Sequence, residues 1–241
     1  MEKSKLVRFI SKYHLAGNVS SVILQSKDNA MSTRFITGDK TLLGELSMKN
    51  WKFDECELGV YDTDQFLKLL GVLKNTISID VKKAGDKAAS LLFSDGYTKV
   101  MYMLTDLSLF NKTPDMKRIP SFNLKLKVDS RFIDTFISGK NALPDSRDFT
   151  VLTSGIKKEN VAELVIGYDI INTNRVTIPI KAEVFEEIEQ IKFNAEYFKQ
   201  ILIANKECES AVLEISSEGL ARISFNVDDY SVIYYLVAIQ N

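Results

Sequence analysis

The chain has 241 residues and a mass of 27.3 kDa, with 31 Lys and Arg against 32 Asp and Glu. That length suits one large domain or two of ordinary size, and the even charge balance excludes a protein that coats nucleic acid through a generally basic surface. No apolar run approaches the ~20 residues of a membrane span, Cys56 and Cys208 are too few for a disulfide framework or thiolate metal site, and a single histidine, His14, argues against most zinc sites and His-based acid–base chemistry.

The first predicted helix follows Glu2 and carries Leu6, Phe9 and Ile10 on one face. Met1 to Ser4 lacks the apolar stretch of a secretory signal, and the two cysteines, with no disulfide framework, lead to the expectation of a reducing cytoplasm. Gly38-Asp39 reads as a turn, and Trp51 as a core or strand-end residue. A second helix is predicted after Asp62, with Phe66, Leu69 and Leu70 on its apolar stripe. Ile77, Ile79 and Val81 then alternate with Thr76, Ser78 and Asp80 as in a strand, and Gly85-Asp86 and Asp95-Gly96 mark turns. The polar stretch 111–120 holds Pro114 and Pro120 and reads as a linker between domains at 1–110 and 121–241.

Beyond the linker, Phe122, Leu124, Leu126 and Val128 alternate with Asn123, Lys125 and Lys127. Asp129 starts a third helix bearing Ile133, Phe136 and Ile137. Val176, Ile178 and Ile180 form an alternating strand that contains Pro179, which cannot donate to a ladder and so predicts an edge strand. Asn194 starts a fourth helix bearing Phe198, Ile201 and Leu202. Ala221, Ile223, Phe225 and Val227 alternate in a strand after Glu218-Gly219, and the run Tyr234 to Ile239 closes the chain.

These elements repeat. Apolar residues stand at +4, +7 and +8 from Asp62, Asp129 and Asn194, and at the same offsets from Glu2, and the four starts lie 60, 67 and 65 residues apart. Asp and Asn can accept hydrogen bonds from free N–H groups of a first helical turn, and the offsets place one apolar stripe on each short helix. The expected fold is α+β: two similar domains, each with two strand–helix–strands repeats, with the helices on one face of antiparallel sheets.

Chemistry is sparse. The carboxylate pairs Asp62/Asp64, Glu186/Glu187 and Asp228/Asp229 fit caps, charged connections and turns. Neither GxGxxG nor GxxxxGK[ST] occurs, and His14, Cys56 and Cys208 have no identifiable catalytic partner. No catalytic residue, metal site or cofactor is expected.

The cations are better organised. The first helix carries Lys3, Lys5, Arg8 and Lys12, and Lys68 and Lys74, Arg131 and Lys140, and Lys199 and Lys206 accompany the others in turn. At ~100° per residue, Arg8, Lys68 and Arg131 fall opposite the apolar stripe, and Lys12, Lys74, Lys199 and Lys206 on its flanks. Lys140 does not fit that face and suits the helix C-terminus. Cations gathered on one side of the sheets would suit a phosphate backbone, read without regard to sequence. Residues 1–117 hold 17 cationic and 14 anionic side chains, and residues 118–241 hold 14 and 18.

The segment Val60-Tyr61-Asp62-Thr63-Asp64-Gln65-Phe66-Leu67-Lys68-Leu69-Leu70-Gly71, with Phe53-Asp54 before it, resembles the sliding clamps of T-even-like bacteriophages. The basic first helix with Lys5 and Lys12 and the strand Tyr234 to Ile239 are similar too. The resemblance implies the DNA-clamp fold and a DNA polymerase processivity factor, in which two-domain subunits close into a homotrimeric ring around double-stranded DNA. It implies helices lining the hole, sheets outside, and a replicative DNA polymerase and a clamp-loader ATPase as partners. The DNA-facing residues would be Lys3, Lys5, Arg8, Lys12, Lys68, Lys74, Arg131, Lys199 and Lys206. Ring closure would pair an edge at Tyr97, Val100 and Tyr102 with one at Val176, Ile178 and Pro179 of the next subunit. Clients would dock near Phe110, Met116 and Ile119 of the linker and Tyr235, Leu236 and Val237 of the last strand. The simpler reading of that strand, apolar on both faces, is a covered central strand. A non-ring binding module and a viral structural protein are the alternatives.

Overall fold

Three of the four expected helix starts carry a cap closed by the side chain itself. Asp62 accepts from the Gln65 N–H at 2.8 Å, Asp129 from Phe132 at 2.8 Å and Asn194 from Tyr197 at 2.9 Å. Glu2 makes no such bond, so the first copy of the repeat lacks this lock. The structure, a computed structural model, describes residues 1–51, 53–111, 113–116, 118–153, 160–169 and 173–239. Lys112 and Lys117 of the expected linker lie outside the described residues.

The chain forms two units by its internal contacts. The first, Met1–Gly38 with Gly44–Pro114, holds helices α1 (Lys3–His14) and α2 (Thr63–Gly71). Its strands β1 (Val22–Lys27), β2 (Ala30–Ile36), β3 (Leu42–Lys49) and β4 (Cys56–Val60) stand in the order β3-β2-β1-β4. Strands β5 (Ser78–Ala84), β6 (Lys87–Ser94) and β7 (Lys99–Met103) form a separate antiparallel sheet in that order.

The second unit, Asp39–Leu43 with Asp115–Asn241, holds α3 (Ser130–Ala142) and α4 (Ala195–Ala204). Its strands are β8 (Leu124–Asp129), β9 (Asp148–Leu152), β10 (Val161–Ile166), β11 (Val176–Phe185), β12 (Ile191–Asn194), β13 (Ser210–Ser216), β14 (Leu220–Val227) and β15 (Tyr230–Val237). They stand in the order β12-β9-β10-β11-β8-β13-β14-β15. The division between Pro114 and Asp115 falls inside the expected linker, but Asp39–Leu43 groups with the second unit. Tyr197 Oη donates to Asp39 at 3.0 Å, and the Val237 N–H to the Thr41 carbonyl at 2.9 Å.

The repeat is plain in this order. Each helix is followed by three strands, β1–β3, β5–β7, β9–β11 and β13–β15. The strand that leads into a helix pairs with the first strand after its partner helix: β4 with β1, β8 with β13 and β12 with β9. Before α1 the counterpart is an isolated Glu2–Thr76 bridge, with an Ile77 N–H to Met1 carbonyl bond of 2.9 Å.

The predicted stripes meet the sheets. Leu6, Phe9 and Ile10, Phe66 and Leu70, Ile133 and Phe136, and Phe198, Ile201 and Leu202 are all buried. In the second unit, Phe136, Phe149 and Phe198 form an aromatic cluster, with centroids 4.8–5.3 Å apart. In the first, Phe66 packs on Tyr102 at 4.7 Å and on Phe93 at 5.7 Å. Each such side chain contributes roughly 1.5–3 kcal/mol by leaving water.

One expectation about an edge needs correction. Pro179 does not lie in an edge strand of the sheet, because β11 stands between β10 and β8. The strand is nevertheless half open: β10 pairs with Val176–Lys181, whereas β8 joins only from Ala182 onward. Proline is tolerated there because its missing donor takes nothing from a continuous central ladder.

Candidate nucleic-acid interface

The apolar stripe of each helix turns its other face away from the sheet. Within the first unit α1 packs beside α2, and within the second α3 beside α4. His14 at the end of α1 is buried, with Nε2 3.3 Å from Asp64 of α2. Burial pushes the His14 pKa below its ordinary value, against the pull of Asp64 and Asp62. It is a packed histidine at a helix–helix contact.

Helical phase places the cations only in part. Lys5 and Arg8 are half-exposed on α1, and Lys68 and Arg131 are exposed on α2 and α3. Lys3 is half-exposed and its ammonium donates to the Leu73 carbonyl. Lys12 is a correction: it is 1% exposed and does not belong to a solvent face. It lies about 60° from Phe9 around the helix, and the last turn of α1 is enclosed on that flank as well as along the stripe, where Tyr13 and His14 are also buried.

Lys74 and Lys206 are corrections of a different kind. Helix α2 ends at Gly71 and α4 at Ala204, so helical phase does not govern either residue. Lys74 follows α2 in a turn where its N–H donates to Asp95 at 2.8 Å. Three backbone donors, those of Thr98, Lys74 and Tyr97, hold the Asp95 pKa down to about 2. Lys206 is exposed but stands 3.0 Å from Asp134 of α3.

In the second unit acids answer the cations. Lys199, with its side chain 15% exposed, is 2.8 Å from Glu196, and Lys140 reaches the same carboxylate at 3.5 Å. Lys140 also donates to the Pro144 carbonyl at 2.8 Å, a helix-end role as expected. Burial raises the Glu196 carboxyl, but the bonds from Lys199 and Gln200 and the charge of Lys140 outweigh it and leave the pKa below its usual range. The Glu196/Lys199 spacing is readable in the sequence; the approach of Asp134 to Lys206 is not, because it joins α3 to the turn after α4, far apart in the chain.

The expected partner residues are shared between the two units. Phe110 belongs to the first unit, where its ring lies against Tyr61 at 6.3 Å. A Cβ on Gly59 would strike the Thr105 carbonyl and come within 2.8 Å of that ring, so glycine permits the contact. Met116 is half-exposed and Ile119 exposed in the second unit. Leu236 is 1% exposed and Tyr235 is also buried, so neither offers an apolar surface; Val237, 46% exposed, does. The last strand is therefore largely the covered strand of the simpler reading.

At the expected subunit edges, Val100 and Tyr102 turn inward, and the Tyr102 hydroxyl donates to the Asp62 carbonyl at 3.1 Å. The exposed apolar side chains of β7 are Met101 and Met103, at 56% and 65%, beside exposed Lys99, with Tyr97 exposed in the preceding turn. Alternation along the strand would have identified the two methionines. On β11, Ile178 is buried, Val176 half-buried and Pro179 exposed.

Among the described residues no cluster of three or more His, Cys, Asp or Glu could hold a metal, and no helix is long and apolar enough to cross a membrane. Both cysteines are free thiols, and burial raises the Cys56 pKa.

No family model and no curated protein matches the chain. Solved structures do. Proliferating cellular nuclear antigen from Entamoeba histolytica superposes with a TM-score of 0.77 at 14% identity, covering 100% of this chain and 97% of that one. The PCNA2–PCNA3 complex from Sulfolobus tokodaii gives 0.74 at 12% identity, covering 99% and 97%. The chain has the clamp fold of proliferating cellular nuclear antigen.

Proposed function

We propose that the protein is a sliding clamp that encircles double-stranded DNA as a homotrimer and tethers a replicative DNA polymerase. The observation that carries this reading is the likeness in fold to proliferating cellular nuclear antigen over the whole chain. The phage-clamp resemblance around Phe53 to Gly71 supports a bacteriophage replication protein acting in the host cytoplasm. It acts as a scaffold and carries out no reaction of its own.

Phosphate contact falls to cations on the faces of the helices turned from the sheets: Lys5, Arg8, Lys68 and Arg131, with Lys3 and Lys199 at their margins. Weak, delocalised phosphate contacts permit sliding, whereas base contacts would pin the ring. Ring closure pairs β7, which among the described residues has a strand on one side only, with the open half of β11 in the next copy. A clamp-loader ATPase opens the ring, and the polymerase contacts the exposed Ile119 and Val237.

Native mass spectrometry tests the ring: a mass of three chains is expected, and monomer at every concentration would overturn it. Retention on circular but not on linearised DNA tests encirclement. Equal retention on both would leave a non-ring DNA-binding module.

A further inference from the structure

The internal repeat exposes an uncovered strand. In the second unit β13 is flanked by β8, with Leu213 opposite Leu126, Glu214 opposite Lys125 and Ile215 opposite Leu124. Thr76 to Val81 matches Ser210 to Ile215 position for position: Ile79 stands for Leu213, Asp80 for Glu214 and Val81 for Ile215. The Glu2–Thr76 bridge likewise matches the pairing of Asp129 with Ser210. Beyond Met1, no strand flanks β5 on that side among the described residues.

The consequence is measurable in burial. Leu213 and Ile215 are 0% exposed, whereas Ile79 and Val81 are only half-buried. Ile77 uses its N–H and carbonyl toward Met1, so by ladder alternation the N–H and C=O of Ile79 and Val81 point to the open edge. A groove of about 470 Å³ lies there, lined by Met1, Trp51, Phe53, Ile77 and Ile79 among others. Trp51 is buried against Phe53 at 5.5 Å, and its indole N–H has no hydrogen-bond partner. An open edge beside an apolar groove is the geometry of strand addition.

We propose that this edge receives an extended segment of a partner protein as an added antiparallel strand. The segment has apolar residues facing Ile79 and Val81 and a cationic residue facing Asp80. The charge requirement follows from exposed Asp80: the carboxylate of Glu214, at the matching position, is answered by Arg222 of β14, whereas Asp80 stands opposite Leu92 of β6. The site lies wholly in the first unit and does not rest on the clamp reading.

A synthetic peptide of residues 120–127, which contains the part of β8 missing from the first unit, is the probe. Trp51 is the only tryptophan, so its fluorescence reports occupancy directly. Titration into the full chain is expected to give a saturable fluorescence change. Ile79→Pro removes an outward N–H without breaking the β5–β6 ladder and should abolish that change. Asp80→Lys should weaken binding by about tenfold, with recovery for a peptide carrying Glu in place of Lys125. Thermal melting of both variants establishes that they are folded. No saturation with the unaltered chain, or binding that Ile79→Pro leaves intact, would overturn the proposal.

Discussion

The helix pairs of the two units share one packing scheme and differ in charge. Helix α1 carries four cationic residues, Lys3, Lys5, Arg8 and Lys12, and no acidic one. The other three helices together carry four, Lys68, Arg131, Lys140 and Lys199, against Asp64, Asp134 and Glu196. In the second unit these acids pair with the cations: Glu196 with Lys199 and Lys140, and Asp134 with Lys206. A duplicated fold thus retains its core pattern while its outward charges diverge, because the core must exclude water and the outer face has no such constraint.

The largest expected effect tests the shared half of the comparison. Phe9 and Phe136 occupy the same repeat position, and both are fully buried. Phe9→Ala and Phe136→Ala should each cost about 3–5 kcal/mol in urea unfolding. A cost confined to one unit would break the equivalence of the cores.

The next effect tests the difference. Under the clamp reading, Lys5→Ala with Arg8→Ala should lower duplex DNA affinity about tenfold and reduce the salt slope by about 2. Lys199→Ala with Lys206→Ala should change affinity less than about twofold, since pairing with Glu196 and Asp134 already offsets those charges. Fluorescence anisotropy with a duplex oligonucleotide at several salt concentrations measures both. Equal losses would remove the asymmetry and leave DNA binding intact, whereas no binding by the unaltered chain would count against the clamp itself.

Cap removal ranks third. Asp62→Ala, Asp129→Ala and Asn194→Ala should each destabilise by about 1 kcal/mol, and Glu2→Ala by much less, as judged by urea midpoints. A cost at Glu2 equal to the others would show that the first repeat is locked by another route.

The smallest effect concerns His14. Its folded-state pKa lies below the ordinary value because burial disfavours the charged ring. The unfolded chain takes up the proton first, so this contribution to stability is complete above about pH 6.5 and is lost as pH falls. The melting temperature should therefore drop between pH 7.5 and 5.5, and His14→Gln should flatten that drop. Asp95 and Asp106, held near pH 2, titrate well below this window.

Much of the fold was legible because its signals are local. The cap residues Asp62, Asp129 and Asn194 accept from the N–H three residues on, a contact within one turn. The candidate interface was legible only in part. Lys5, Arg8, Lys68 and Arg131 lie on accessible faces, but Lys12 is buried and Lys74 and Lys206 fall beyond their helices. Helical phase gives an angle around one axis; it does not say which flanks other elements cover or where a helix stops.

The sequence by itself determined the repeat: caps, stripes at +4, +7 and +8, and alternating strands, each a property of neighbours a few residues apart. Only the tertiary structure decided which edges stay open among the described residues, as along β5, β7 and the first half of β11, and which cations meet an acid from another helix. Strand pairing and ion pairing join residues far apart in the chain, and no local periodicity encodes them.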